Sequence, residues 1–140
     1  LKYQVLKKKK MFLGICLGMQ LMATKGYENN IECNGLNFIN AEVKNLKKMG
    51  CNLKVPHTGW NGVNIINKND ILKDISNLSD YYFNHSYVVV PDNNNIVVTT
   101  TSHTIEFASI INYENMYGMQ FHPEKSSNAG KTLLKNFLSL

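Results

Sequence analysis

The chain has 140 residues, 44% of them hydrophobic, which suits one domain with a substantial core and is too short for two. Its formal net charge is +5, but Lys7 to Lys10 supply four of those charges, so they read as a solvated loop and not as a basic face for nucleic acid. No apolar run approaches the roughly 18 residues of a membrane span, no signal peptide is visible, and three cysteines spaced 17 and 18 apart fit neither a disulfide framework nor a zinc cluster, so a reducing, cytoplasmic setting is expected.

Residues 1–9 carry weak helical character, and Met11 to Ile15 form a short buried strand. Leu17 to Lys25 predict a helix with Leu17, Leu21 and Lys25 on one side and Gly26 as its stop. Leu36, Phe38 and Asn40 alternate with Asn37 and Ile39 in a half-buried strand running towards Val43. A turn at Lys47 to Gly50 leads to a strand at Asn52 to Val55, a loop at Pro56-His-Thr-Gly59 and a strand at Val63 to Ile66. Ile71 to Leu78 suggests a helical turn. Tyr81 to Val90 is strongly strand-like, and Pro91 to Asn95 turns into Ile96 to Thr101. Ile105 to Asn112 and Met116 to Phe121 continue the run of strands. Asn29-Asn30 and Asn93 to Asn95 read as polar turns. Asn128 is expected to cap a closing helix, Ala129 to Phe137, with Leu133, Leu134 and Phe137 as its apolar side. With no internal repeat or linker, residues 1–140 read as a single domain of α/β or mixed architecture.

The chemistry concentrates in two places. Cys16 stands in Gly14-Ile-Cys-Leu-Gly18, between an apolar strand and a helix. That is the form of a nucleophile elbow with cysteine in place of serine. A sharp strand-to-helix turn brings backbone close to the nucleophile, so positions 14 and 18 suit glycine. The first helical amides then face the sulfur, which together with an imidazolium predicts a thiolate at neutral pH. His122 follows 106 residues later in Gly118-Met-Gln-Phe-His-Pro-Glu124. Pro123 biases His122 to an extended conformation, in which side chains two apart share a side, so Glu124 can reach the imidazole. A Cys-His-Glu triad results, with the carboxylate orienting the base. A lone cysteine is more often a small buried hydrophobe, and Cys33 and Cys51, without such surroundings, are read that way. Taken alone, His57, His85 and His103 read as satisfied histidines and Trp60 as a half-buried aromatic. No histidine pair has metal-site spacing.

Gly14-Ile-Cys-Leu-Gly-Met-Gln20 and Gly118-Met-Gln-Phe-His-Pro-Glu-Lys-Ser126 resemble the class I, triad-type glutamine amidotransferases. Val55-Pro-His-Thr-Gly-Trp-Asn61 and Tyr82-Phe-Asn-His-Ser-Tyr87 look like the glutaminase subunits of imidazole glycerol phosphate synthases within that family. The resemblance implies a flavodoxin-like, three-layer α/β fold with a central, mostly parallel sheet. It implies glutamine as substrate, no cofactor or metal, and a separate cyclase subunit forming a heterodimer in histidine biosynthesis. Cys16, His122 and Glu124 would be catalytic, with the Leu17 amide an oxyanion donor. Gln20, Ser86 and Tyr87 would bind glutamine, and Pro56, Trp60 and Asn61 would face the partner.

Thr58 replaces a methionine common in the Pro-His-x-Gly-Trp-Asn segment, and Ala-Thr-Lys-Gly-Tyr after Met22 departs from the usual aromatic and acidic pattern. The family's opening strands and its glycine-rich loop with a second oxyanion donor precede the elbow and are not among these residues. The expectation is an N-terminally truncated amidotransferase, poorly active as it stands. Two alternatives are a paralogue feeding ammonia to surface-sugar amidination and an inactive remnant that only docks its partner.

Overall fold

The computed structural model describes residues 1–28 and 31–140, so the turn expected at Asn29-Asn30 lies outside the described residues. A helical segment at Tyr3–Lys7 buries Val5. The exposed lysine run behind it is tied down from one side. Asn115 Nδ2 donates to the Val5 and Lys10 carbonyls at 3.1 and 2.7 Å, and Lys9 pairs with Glu114.

The chain then forms β1 (Phe12–Ile15), α1 (Leu17–Leu21), β2 (Lys25–Glu28), β3 (Ile31–Asn34), β4 (Ala41–Asn45), β5 (His57–Gly62) and β6 (Asn64–Ile65). After these come β7 (Asp80–His85), β8 (Tyr87–Pro91), β9 (Val97–His103), β10 (Ile105–Tyr113), β11 (Met116–Met119) and α2 (Ser127–Leu138). Among the described residues the strands make three sheets, ordered β1-β11-β10-β9-β6, β3-β2-β4-β8 and β5-β7. A mostly parallel sheet was expected from the resemblance. In these residues only β1–β11 and β2–β4 pair parallel, and the other pairs are antiparallel. Tight turns join β9 to β10 and β10 to β11, and a short turn can only return a strand antiparallel.

The five-stranded sheet separates two cores. Successive strand side chains point to opposite faces. Along β10, Ile110 therefore packs with Phe83, Phe121 and Leu133, whereas Ile111 packs with Met19, Met22 and Val43. Met19 of α1 seals one face and Leu133 of α2 the other, giving helix, sheet and helix in layers.

Several expected elements end elsewhere, for identifiable reasons. The helix after Cys16 stops at Leu21 instead of Lys25, and Leu36 to Asn40 is not a strand. One arrangement explains both. The amides of Leu36, Asn37, Phe38 and Ile39 donate to the carbonyls of Leu21, Ala23 and Met22, so this segment caps the helix end and has no amides left for a ladder. Of the expected loop at Pro56 to Gly59, His57 to Gly59 are instead the start of β5, because β7 supplies a register running from His57↔His85 to Gly62↔Asp80. Asn52 to Val55 is not a strand; its Asn52 amide goes to Thr104 Oγ1 at 3.3 Å. Tyr81 to Val90 is two strands, not one. The chain changes sheets at Ser86, with β7 pairing β5 and β8 pairing β4. The expected helical turn at Ile71 to Leu78 shrinks to Asp70–Leu72, where Asn69 Oδ1 accepts from the Ile71 amide at 3.1 Å. Asn128 lies inside α2 and does not cap it; the cap position is Ser126, whose hydroxyl is occupied elsewhere. Asn93 does build a polar turn, its Oδ1 accepting from the Asn95 amide at 2.9 Å.

Candidate active site

Parallel pairing of β1 with β11 sets Ile15 opposite Met119. The residues that leave these two strands at the same end are Cys16 on one and Gln120, Phe121 and His122 on the other. The Cys16 amide donates to the Met119 carbonyl at 2.7 Å, so the ladder runs up to the elbow itself. Cys16 holds φ 51° and ψ −105°, a conformation that a non-glycine residue adopts only under strain of roughly 1–3 kcal/mol. The turn is possible because Gly14 has no Cβ. A Cβ there would lie 2.6 Å from the Gly18 carbonyl carbon and oxygen and 2.7 Å from the Met19 nitrogen. Gly18 is different from its expected role: a Cβ there meets nothing within 4 Å.

Strand β7 crosses this end. His122 donates its amide to the Tyr82 carbonyl at 2.9 Å, and the Cys16 thiol points to the Asn84 carbonyl at 3.9 Å. Glu124 sits in a single 3-10 turn, Pro123–Lys125, and not in the extended segment expected; its Oε1 still lies 2.7 Å from His122 Nδ1, and among the described residues Nε2 has no hydrogen-bond partner. Ser126 locks this loop: buried, its hydroxyl donates to the His122 carbonyl at 2.6 Å and accepts from the Tyr82 amide at 3.0 Å.

The electrostatics differ from the expected resting thiolate. Burial pushes the Cys16 thiol up, and the Glu124 carboxylate adds to the rise; the Leu17 amide, Gln120 and Lys125 act in the other direction without overcoming it. A helix of five residues contributes little dipole, and among the described residues the thiol's hydrogen-bond contacts are Asn84, Gln120 and the Leu17 amide, not His122.

Gln20 reaches two places from α1. Its Nε2 donates to the Tyr87 carbonyl at 2.9 Å and to Gln120 Oε1 at 3.2 Å, and Gln120 Nε2 in turn approaches Cys16 Sγ at 3.8 Å. Leu17, Gln20 and Tyr87 line one cavity of about 180 Å³ together with Lys25, Glu28 and Cys33. Ser86 is not among its walls; its carbonyl accepts from Leu46. Cys33, expected to be buried structure, is exposed on β3, while Cys51 is buried as expected. Pro56 is exposed and Trp60 is 54% exposed with its ring edge-on to Tyr82, but Asn61 turns its amide inward to His57 and Ser102.

The sequence model described as glutamine amidotransferase class-I matches residues 1–140. An imidazole glycerol phosphate synthase subunit HisH 1 of Campylobacter jejuni is 43% identical over the whole chain, which covers 68% of that protein. The chain belongs to this amidotransferase family and to its HisH branch. The HisH subunit of Pelagibacter ubique is 40% identical over 94% of the chain, which spans 63% of that relative. A solved glutamine amidotransferase from Thermotoga maritima shares the fold, with TM-score 0.65 and 21% identity over 97% of this chain and 50% of that one.

Three residues in or near this candidate site carried no role in what the sequence alone suggested. Gln120 and His122 are two apart in an extended segment, so shared sidedness was the available signal for Gln120. Ser126 ends the resemblance segment, but its contact with Tyr82 depends on β7 arriving there. Glu28 is the carboxylate in the cavity, and nothing in its neighbours pointed to it.

Proposed function

We propose that this HisH-branch amidotransferase hydrolyses glutamine with Cys16, His122 and Glu124, and passes ammonia to a cyclase subunit that makes imidazole glycerol phosphate. The observation that carries the reading is the strained Cys16 elbow at the same sheet end as an imidazole already paired with Glu124 at 2.7 Å. Residues 1–140 would act as one domain, in the cytoplasm.

The thiol starts protonated, so His122 Nε2 takes its proton as Sγ attacks the side-chain amide carbon of glutamine. The new oxyanion lies against the Leu17 amide, which the thiol already senses. The imidazolium, stabilised by Glu124, hands its proton to the departing nitrogen and ammonia leaves. Water, deprotonated by His122, then cleaves the thioester; glutamate departs and the thiol recovers its proton. Gln20 and the Tyr87 segment would hold the substrate. Glu28 would face its ammonium group, since it is a carboxylate on the cavity wall. Catalytic hydrogen bonds are often long before substrate binds, which fits the absence of a Cys16–His122 contact. Trp60, exposed on an edge strand, would anchor the partner.

The test is glutamate release from glutamine by the chain with the cyclase subunit present, compared with Cys16→Ser. Activity that persists in the variant would reject the assignment.

A further inference from the structure

A second chain of hydrogen bonds begins on β5 and ends at the glutamine-side carbonyl. Asn61 Nδ2 lies 3.2 Å from His57 Nε2, His57 Nδ1 lies 3.0 Å from His85 Nε2, and His85 Nδ1 lies 3.0 Å from the Tyr87 carbonyl. That carbonyl also accepts Gln20 Nε2 at 2.9 Å.

The direction of the chain is forced from both ends. At one end a carbonyl can only accept, so His85 Nδ1 carries a proton; in a neutral imidazole Nε2 must then accept from His57 Nδ1, leaving His57 Nε2 as an acceptor. At the other end, Asn61 Oδ1 accepts from the Gly62 amide at 2.9 Å and Nδ2 donates to the Ser102 carbonyl at 2.9 Å, so the group facing His57 is a donor. Both ends give the same polarity. Each imidazole is 5% exposed or less. Burial holds both rings well below the usual histidine range, which keeps the neutral tautomers that the chain requires. His57 is also fixed by stacking on Phe83 and His103, with centroids 4.8 and 4.1 Å away.

We propose that His57 and His85 are positioning residues: their one-way relay from Asn61 fixes the Tyr87 carbonyl and thereby the Gln20 amide that receives glutamine. The proposal rests on reading Gln20 as a glutamine-binding residue. Neither histidine touches the reacting atoms. A packing role and a relay role make opposite demands at position 57. Phenylalanine keeps the stacked ring and cannot pass a hydrogen bond, whereas glutamine loses the ring but can accept from Asn61 and donate to His85.

The experiment measures alkylation of Cys16 by peptide mapping, with a glutamine-shaped chloroketone and with iodoacetamide, which needs no side-chain recognition. For His57→Phe the chloroketone rate should fall about tenfold, the loss of roughly one hydrogen bond, while the iodoacetamide rate stays near that of the unaltered chain. His57→Gln should recover most of the chloroketone rate. Retention by His57→Phe, or a loss in His57→Gln as large as in His57→Phe, would overturn the relay. If His57→Phe does not fold, Asn61→Ala at the half-buried start of the relay must show the same selective loss, and its absence overturns the proposal. An unaltered chain with no preference for the chloroketone would overturn the glutamine-site reading and the relay with it; preference that survives in His57→Phe overturns the relay alone.

Discussion

Replacing Gly14 by alanine tests the elbow directly, because the structure sets what the added methyl meets. The new Cβ would sit 2.6 Å from the backbone of Gly18, well inside the 3.4 Å at which ordinary contact begins, and the obstacle is main chain that no rotamer change can move. Either α1 lifts from β1 or the Cys16 turn opens. Overpacking of this kind costs about 1–3 kcal/mol of stability. The catalytic loss should be larger than that figure suggests, since a displacement of about 1 Å at a reacting group can cost about 10²-fold. Gly18→Ala is the internal comparison. Its Cβ has open space in a helical position, where alanine is favoured over glycine by up to about 1 kcal/mol, so stability should hold or rise. Urea midpoints and the chloroketone labelling rate of Cys16 give both readouts on the same samples. Equal stability and equal labelling in Gly14→Ala and the unaltered chain would refute the steric account of the elbow.

His122→Ala should lower glutamine hydrolysis by roughly 10²–10⁴-fold, and Glu124→Ala by less, because the carboxylate orients and charges the base without moving a proton; equal losses would reject that division. Ser126→Ala strips partners from the His122 carbonyl and the Tyr82 amide, so it should cost about 1–3 kcal/mol and slow turnover without affecting iodoacetamide labelling of Cys16; an unchanged urea midpoint would contradict it. His57 and His85 have folded pKa values of about 3 and about 4 against an ordinary 6.5. The unfolded chain therefore binds more protons below 6.5, and the stability these rings contribute is full above that pH and lost as pH falls towards 4 and 3. The acid slope of the urea midpoint should be shallower in His57→Gln, and an identical slope would show that the rings do not titrate as described.

The sequence by itself carried the identity of the chemistry. Gly14 two residues before Cys16, and His122 two residues before Glu124, are local patterns: the first follows from the sterics of the turn, and the second brings carboxylate and imidazole together through the single 3-10 turn that Pro123 starts. The positions of β9 and β10 were legible too: β9 opens on the β-branched run Val97 to Thr101, β10 is rich in isoleucine and aromatic residues, and the turns that bound β10 are short. What the sequence could not supply was which segments meet. Only the β1–β11 register brings Cys16 to the end where His122 leaves its strand, across 106 residues. Only the arrival of β7 gives Ser126 and Asn84 their places beside the site. Leu36 to Ile39 shows the limit most clearly: its alternation suits a strand, yet its amides are spent on the end of α1, and backbone hydrogen bonds are claimed once. The thiol's state was likewise decided in three dimensions. A cysteine at a helix start should ionise easily, but burial disfavours the anion, and how deeply a sulfur is buried is a property of everything packed around it.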